Sequence, residues 1–327
     1  MSLPSRSAVN ARRHALIAEY RRKVMEKYEV VLFPHQAEWI LASEGWVLTD
    51  LAPAETSDPH TLVMLEDESI EPRLLLPRPG GAARALVDLA GFKGGKSFSL
   101  ALYISGYAGV DGAVDLIGLE YDTSEPEFNY LADFLLSERG MGLKAESFRN
   151  NKKDGAMWIT LDNGFHAECK SYRASRKSET MKGKTRDLYA FTEAYQLPGL
   201  HVYSHVSQNL RQRDGAAAFT TTPDRAWVRE LHDKGHGKDP YWHCTCDVDA
   251  RCNPFTFDQS ARDRDDPDKG GLMTRERFAV AWGGKVHRHI GAVYDYEKDA
   301  QMCSPLNFPQ LWDREAVNVV ADLVAST

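Results

Sequence analysis

One stretch of eight residues constrains the fold of this chain more than any other feature. Residues 90–97 read Ala-Gly-Phe-Lys-Gly-Gly-Lys-Ser, which fits the permissive phosphate-loop pattern Ala/Gly-x-x-x-x-Gly-Lys-Ser/Thr. An apolar run (85–89) precedes the stretch, and a helix is predicted to begin near Ser97. Glycines let backbone N–H groups curl around phosphate oxygens, and the dipole of the following helix favours the same anion. The motif therefore predicts a strand, loop and helix that bind a nucleotide.

The side chains at the end of this loop have specific expected roles. Lys96 would bridge the β- and γ-phosphates, and Ser97 would ligate Mg²⁺. The residues expected to surround the phosphates with them are Gly91, Phe92, Lys93, Gly94 and Gly95. The alternative is a glycine-rich turn that precedes Lys-Ser by chance, and the strand before it and helix after it favour the nucleotide site.

Hydrolysis needs a second element, an acid at a strand tip that activates water. Residues 188–193 form an apolar run that ends in Glu193. Thr192 stands where an Asp usually holds Mg²⁺ through water, so weaker metal binding is expected because a hydroxyl carries no charge. The alternative is that Glu193 only ends a surface strand.

Short apolar runs alternate with helix-length segments from residue 83 onward. The predicted strands are 85–90, 114–121, 187–193 and 216–223, and the predicted helices are 97–108, 125–138, 199–213 and 224–235. Strand–helix alternation is typical of a parallel α/β sheet flanked by helices. The fold class is therefore predicted to be α/β.

Three other segments have their own patterns. Residues 9–28 predict a basic helix, because their apolar positions recur at helical spacing. Residues 50–82 carry five prolines and an acidic stretch, which favour an inserted loop or hairpin. Residues 157–172 predict a hairpin with a type I′ turn at Asn163-Gly164.

Composition limits the class of protein. The 327 residues are 43% hydrophobic and 27% charged, which excludes a disordered, collagen-like or coiled-coil chain. No apolar run approaches the ~18 residues that span a bilayer, and the first residues lack the apolar core of a signal peptide. Five cysteines fit a reducing compartment. A net charge of −7 does not by itself indicate a nucleic-acid binder.

Basic residues nevertheless cluster in one segment. Residues 170–186 contain seven Lys or Arg and one acid, directly before the run that ends in Glu193. Such a loop could hold a DNA backbone or contact the nucleotide of a neighbouring subunit, or it could simply be solvated.

Several cysteines and histidines in the C-terminal third of the chain are candidate metal ligands. His243, Cys244 and Cys246, followed by Cys252, lack the usual zinc-ligand spacing. Their alternation favours a strand with buried thiols over structural zinc. His287 and His289 likewise favour a strand edge.

A series of short motifs runs in order over about residues 30–297. They are Phe33-Pro34-His35-Gln36, the phosphate loop, Leu161 to Gly164 with Lys170 to Ser175, Met181-Lys182-Gly183, Thr192-Glu193-Ala194, Thr220-Thr221-Thr222-Pro223, Cys252-Asn253-Pro254, and Arg275 to Phe278 through Gly291 to Tyr294. In their order and spacing these motifs resemble the ATPase domain of the large terminase subunit of tailed double-stranded DNA bacteriophages.

The resemblance implies a RecA-like P-loop ATPase fold of the additional-strand, catalytic-Glu type, with Glu193 on a strand adjacent to the loop. It implies ATP and Mg²⁺ as ligands, Gln36 near adenine, and Glu193 orienting the attacking water. Thr220, Thr221 and Thr222 would couple the phosphate state to movement. The candidate groups for stabilising the transition state, in cis or in trans, are Lys182, Arg173, Arg176 and Arg186.

Domain organisation and partners also follow from the resemblance. It implies an N-terminal helical extension (1–28), the ATPase domain (29–300) and a linker or helix (301–327) toward an absent nuclease domain, without nuclease activity in this chain. The implied partners are viral double-stranded DNA, the portal protein and procapsid, the small terminase subunit and further copies of the chain in a ring. The implied location is the host cytoplasm, with no membrane contact.

Three departures from the family pattern predict slow or assembly-dependent hydrolysis. Phe92 stands where many members have Arg, Thr192 replaces Asp, and Lys182 replaces an Arg whose bidentate fork a lysine lacks. Two alternatives stay open: another P-loop DNA translocase of the helicase-like kind, and a nucleotide-regulated DNA-binding assembly protein with weak hydrolysis.

Overall fold

A central sheet, layered between helices, organises the part of the chain that the structure describes. The computed structural model describes residues 5–30, 32–49, 74–175, 185–253 and 257–286. The helices are α1 Arg6–Lys27, α2 Pro34–Glu44, α3 Lys96–Ser105, α4 Tyr121–Leu136, α5 Tyr172–Ser175, α6 His201–Leu210, α7 Val228–Gly235, α8 Gln259–Asp265 and α9 Arg275–Gly283. The strands are β1 Trp46–Thr49, β2 Leu74–Pro77, β3 Ala85–Ala90, β4 Ala113–Gly118, β5 Ala145–Asn151, β6 Ala156–Leu161, β7 His166–Ser171, β8 Leu188–Phe191, β9 Ala216–Thr221 and β10 Trp242–Val248.

Within the described residues, the main sheet has eight strands in the order β10-β3-β9-β8-β4-β7-β6-β5. Neighbours from β10 to β7 pair in parallel, whereas β7, β6 and β5 pair antiparallel. The predicted fold class, a mainly parallel α/β sheet flanked by helices, is confirmed. The strand of Glu193, β8, does not adjoin β3, because β9 lies between them. The expectation of direct adjacency is wrong, and β9 is the additional strand between the loop and the acid.

Burial explains why the central strands form. Every residue of β3 and of β9 is buried, as expected for short apolar runs covered on both faces of a parallel sheet. One core cluster joins the sheet to α1, α2, α3 and α4, and a second joins it to α6 and α7. Because the strands from β10 to β7 are parallel, their carboxyl ends lie along one edge of the sheet, which is where such sheets bind ligands.

The basic N-terminal helix is part of this core. Ile17 and Val24 of α1 are buried, while Leu16 is exposed. Arg21, 2% exposed, pairs with Glu44 at 2.8 Å and lies over the ring of Tyr103. The helix therefore uses its charge for internal ion pairs as well as for its surface.

The predicted hairpin is present as β6 and β7, but its turn is of another kind. A type I′ turn needs a positive φ at both central residues. Here Asn163 is not among the residues with positive φ, while Gly164 has φ +89° and Leu161 N–H bonds to the Phe165 carbonyl at 2.9 Å. The turn prediction is wrong, because the side chain of Asn163 holds a longer loop through the Ala108 carbonyl and Phe165 N–H.

The other local predictions have mixed outcomes. The four predicted helices are present as α3, α4, α6 and α7, and the four predicted strands as β3, β4, β8 and β9. Strand β5, largely exposed, was not predicted. In the proline-rich segment, β2 pairs antiparallel with β1. Among the described residues, no helix is long and apolar enough to cross a membrane.

Several predictions fall on residues that the structure does not describe. They are the remainder of the proline-rich segment (50–73), the motif residues at 181–183, 254 and 291–294, the histidines at 287 and 289, and the terminal segment 301–327. These stay predictions.

Candidate nucleotide site at the carboxyl edge of the sheet

The phosphate loop joins β3 to α3, as its motif predicts. Gly95 adopts φ +83°, and a Cβ there would come within 2.5 Å of Gln36 Nε2. Only glycine combines this left-handed backbone with such a close approach. The Gln36 amide donates to the Gly95 carbonyl at 3.3 Å and accepts from Phe33 N–H at 3.0 Å. Helix α2 is thus attached directly to the loop.

Lys96 is folded against its own loop. Its Nζ donates to the carbonyls of Ala90 at 3.0 Å and Gly91 at 2.9 Å, and contacts Thr222 Oγ1 at 3.4 Å. The side chain is 7% exposed. A buried ammonium held by neutral carbonyls is suited to exchange them for phosphate oxygens, since charged acceptors form stronger hydrogen bonds.

A cavity of about 570 Å³ opens beside the loop. Seven residues that the sequence predicts to bind the nucleotide or to activate water line this cavity: Gln36, Lys93, Gly94, Gly95, Lys96, Ser97 and Glu193. Gly91 and Phe92 lie elsewhere: Gly91 packs on the backbone of Trp282, and the Phe92 ring meets the Trp282 ring edge-on. A volume of this size falls within the range of small-molecule sites.

Glu193 reaches the cavity from the turn after β8. Its backbone is left-handed, with φ 42° and ψ 52°, and its side chain is half-buried. A non-glycine residue in this region costs on the order of 1–3 kcal/mol and is concentrated at functional sites. The strained turn places the carboxylate in the same cavity as Lys96.

Thr192 is in a different position from its neighbour. It is fully buried, and its hydroxyl pairs with Ser124 Oγ of α4 at 2.8 Å. It is not among the residues that line the cavity. The expectation that Thr192 holds a metal-bound water stays a prediction, and the structure gives its hydroxyl a protein partner instead.

Glu127 is a carboxylate that sequence reasoning missed. It lies on the buried face of α4 and is 2% exposed, and its Oε2 has no partner among the described residues. Burial raises its pKa to about 7, which the neighbouring Ser97 hydroxyl opposes and the Glu193 charge increases. The available signal was an acid on the apolar face of a predicted helix, next to Phe128.

The three threonines after β9 connect the loop to the Glu193 turn. Thr222 contacts Lys96, and Thr221 Oγ1 accepts from Tyr195 N–H at 2.9 Å. Thr220 Oγ1 lies 3.5 Å from the Phe191 carbonyl. All three are buried, and through them β9 contacts both Lys96 and β8 with the turn that follows it.

The basic candidates are dispersed. Arg173 is exposed and forms an ion pair with Glu120. Arg186 is buried before β8, where its Nε donates to Asp115 at 2.7 Å. It lies at the amino ends of the strands, away from the loop, and its role in the transition state stays a prediction. Lys182 and Arg176 lie outside the described residues.

Two further side chains support the loop without having been assigned a role there. Asn253 donates to the Lys93 carbonyl at 3.0 Å, while its buried Oδ1 has no partner among the described residues. His35 bonds through Nε2 to the Gly94 carbonyl at 2.9 Å. Tyr28 and Arg139 line the other side of the cavity, with the guanidinium 4.2 Å from the ring centre.

Comparison with known proteins gives matches in solved structures. The fold is similar to the large terminase ATPase domain of Thermus phage P74-26, at 15% identity over 62% of this chain and 89% of that chain, with a TM-score of 0.49. It is similar to the large terminase of another thermophilic bacteriophage at 12% identity, over 57% of this chain and 45% of that chain, with a TM-score of 0.44. The complex of this second terminase with ADP matches at 12% identity over 61% and 47%, with a TM-score of 0.37. No protein-family model and no curated protein matches the chain.

Proposed function

We propose that this chain is an ATP-hydrolysing motor that moves double-stranded DNA, the ATPase domain of a viral large terminase. One observation carries the proposal: Lys96, Glu193 and Ser97 line one cavity at the carboxyl edge of the sheet. The order of the sequence motifs supports the terminase assignment, and the geometry supports hydrolysis.

Hydrolysis would proceed with Glu193 and Lys96 in complementary roles. Glu193 orients a water and takes its proton while the water oxygen bonds to the γ-phosphorus and the bond to the bridging oxygen breaks. Lys96 neutralises charge on the phosphate oxygens. Gln36 and His35 hold the loop carbonyls, so the cradle is formed before the nucleotide arrives.

The residues beside the loop fit Mg²⁺. Ser97 and Glu127 offer hard oxygen donors, and the buried Oε2 of Glu127 is an acceptor that has no partner among the described residues. Ser97 would hold the ion, with Glu127 beside it in place of the missing Asp. When bound, Mg²⁺ supplies charge neutralisation for the phosphates.

Coupling would pass through β9. The hydrogen bond from Lys96 Nζ to Thr222 Oγ1 is long, at 3.4 Å, and therefore weak. A bound phosphate would replace Thr222 as the acceptor. Thr221 holds the backbone after Glu193, so a change at Thr222 reaches the hydrolytic turn within one residue. DNA, the portal and procapsid, the small subunit and a ring of further copies are proposed as the partners that use this movement, with Arg173, Arg176 or Lys182 as the trans group.

Steady-state phosphate release tests the proposal. Replacing Glu193→Gln should lower turnover ~100- to 10,000-fold, the range for loss of a general base, and leave nucleotide binding intact. Glu146→Gln is the matched control, because Glu146 is exposed on β5, outside the cavity. An unchanged rate in Glu193→Gln would contradict the role of this acid.

The DNA-motor part is tested separately with portal and procapsid present. Added double-stranded DNA should then increase the ATPase rate of the wild-type chain. Hydrolysis without any response to DNA would support the ATPase activity and contradict the proposed DNA-motor function.

One observation favours a second candidate, a nucleotide-regulated DNA-binding assembly protein with weak hydrolysis. Thr192 replaces the family's acid, and its hydroxyl is paired with Ser124. In that case DNA affinity would depend on the bound nucleotide while the Glu193→Gln variant retained the slow wild-type rate.

A further inference from the structure

A cluster of metal-binding side chains lies on the edge of the sheet where α7 packs against β10. One ligand atom from each of His232, His236 and Cys246 lies within 4.8 Å of the others. Cys246 Sγ is 3.7 Å from His236 Nε2. His232 and Cys246 are half-buried and His236 is exposed, so an ion could reach the cluster from solvent.

The packing of α7 explains why these groups meet. His232 and His236 are four residues apart, and their rings stack with centres 4.3 Å apart. Gly235 allows the helix end to approach β10, because a Cβ there would lie 2.1 Å from the Cβ of Cys244. Lys234 extends over the Trp242 ring at 5.5 Å, a second contact between helix and strand.

Both imidazoles are oriented through Nδ1. His236 Nδ1 lies 3.0 Å from the His232 carbonyl, and His232 Nδ1 lies 3.1 Å from Asp233 Oδ1. A ring nitrogen that donates to an oxygen leaves the other nitrogen as the metal-binding lone pair, the arrangement that orients histidines in metal sites.

We propose that His232, His236 and Cys246 form a Zn²⁺ site with a fourth position open to water. Two imidazoles and one thiolate match the nitrogen and sulfur ligands of zinc. The ion would fasten α7, which follows Thr222 in the chain, to the edge strand β10.

The other cysteines considered from the sequence do not join this cluster. Cys244 is buried in the core beside α7, and Cys252 lies in the turn after β10. Burial, with Asp247 and Glu38 nearby, raises the pKa of Cys246 to about 11. Metal coordination must therefore displace the thiol proton.

Cobalt titration of the tag-free, chelator-treated full chain tests the site. Co²⁺ should bind with one equivalent per chain, produce a thiolate charge-transfer band and tetrahedral visible bands, and be displaced by Zn²⁺. Cys246→Ser should abolish the charge-transfer band. His236→Gln should weaken Zn²⁺ binding at least ~10-fold, since loss of even an outer-shell partner has that effect.

Matched controls separate this site from adventitious binding. Cys252→Ser removes a half-buried thiol outside the cluster, and His205→Gln alters a histidine pair on α6 whose rings are 5.9 Å apart. Both variants should bind Co²⁺ like the wild type, and circular dichroism should show that all four variants are folded.

The proposal is overturned if Cys246→Ser retains the charge-transfer band, or if wild-type binding equals that of a His232→Gln/His236→Gln double variant. A thermal shift gives a second readout, because Zn²⁺ should raise Tm in the wild type and in both controls but not in Cys246→Ser.

Discussion

Buried carboxylates differ between the amino ends of the sheet's strands (the amino edge) and their carboxyl ends (the carboxyl edge). At the amino edge, Asp187 accepts from Arg13, Arg213 and the Ala113 N–H, and Asp115 accepts from Arg186. At the carboxyl edge, Asp88 Oδ1 and Glu127 Oε2 have no partner among the described residues.

Buried polar groups without partners are costly, so native proteins keep few of them. Burial raises the pKa of Asp88 and of Glu127, and the same effect on Asp115 is opposed by Arg186. The ion pairs at the amino edge therefore stabilise the fold, whereas the carboxyl edge has unpaired acceptors beside the proposed nucleotide site.

The largest expected effect is at the amino edge. Arg186→Ala leaves Asp115 buried without its partner, so the free energy of unfolding should fall by about 3–5 kcal/mol, measured by urea denaturation. Asp115→Leu/Arg186→Met should recover much of the loss, because it removes both charges. A stable Arg186→Ala variant that no longer hydrolyses ATP would instead identify Arg186 as a trans group.

At the carboxyl edge the effect should fall on activity. Lys96→Ala should lower ATP turnover ~100- to 1000-fold, as loss of one transition-state donor does, while the free energy of unfolding changes by less than about 2 kcal/mol. Lys153→Ala is the control, since its side chain is exposed between β5 and β6, outside the cavity. Equal losses in both variants would contradict the special position of Lys96.

The raised pKa of Glu127 predicts a pH dependence of stability. Between about pH 4.5 and pH 7 the unfolded state ionises this carboxyl while the folded state keeps it protonated, so the wild type should lose stability as pH rises through this window. Above pH 7 the penalty should be constant, on the order of 3 kcal/mol, because one pKa unit corresponds to about 1.4 kcal/mol.

Urea denaturation of Glu127→Gln at pH 5 and pH 8 measures this contribution. The variant should gain stability relative to the wild type at pH 8 and little at pH 5, whereas Glu120→Gln should show no such difference. A Glu127→Gln variant without a pH-dependent gain would show that this carboxyl titrates normally.

The smallest expected effect concerns the far wall of the cavity. Arg139→Ala removes the cation–π contact with Tyr28, so KM for ATP should rise ~2- to 5-fold with kcat unchanged, as loss of about 0.5–1 kcal/mol implies. Arg149→Ala is the control, because its cation–π partner Trp158 lies in the antiparallel strands. A fall in kcat instead would assign Arg139 to the chemical step.

Local sequence determined the parts of this protein that depend on neighbours in the chain. The phosphate loop follows from glycines at fixed offsets between an apolar run and a helix, and β3, β8 and β9 follow from short apolar runs. The prediction of a type I′ turn at Asn163-Gly164 was wrong because the Asn163 side chain bonds to the Ala108 carbonyl, 55 residues away in sequence.

The polar groups that share a site are brought together by packing between elements that are distant in the chain. Glu127 lies near Ser97 because α4 packs against α3, and His232 and His236 lie near Cys246 because α7 packs against β10. Only the tertiary structure decided that Arg186 is separated from the loop and that Thr192 pairs with Ser124. These contacts depend on long-range packing and on which hydrogen-bond acceptors have no partner. Neither can be predicted from the spacing of residues along one segment.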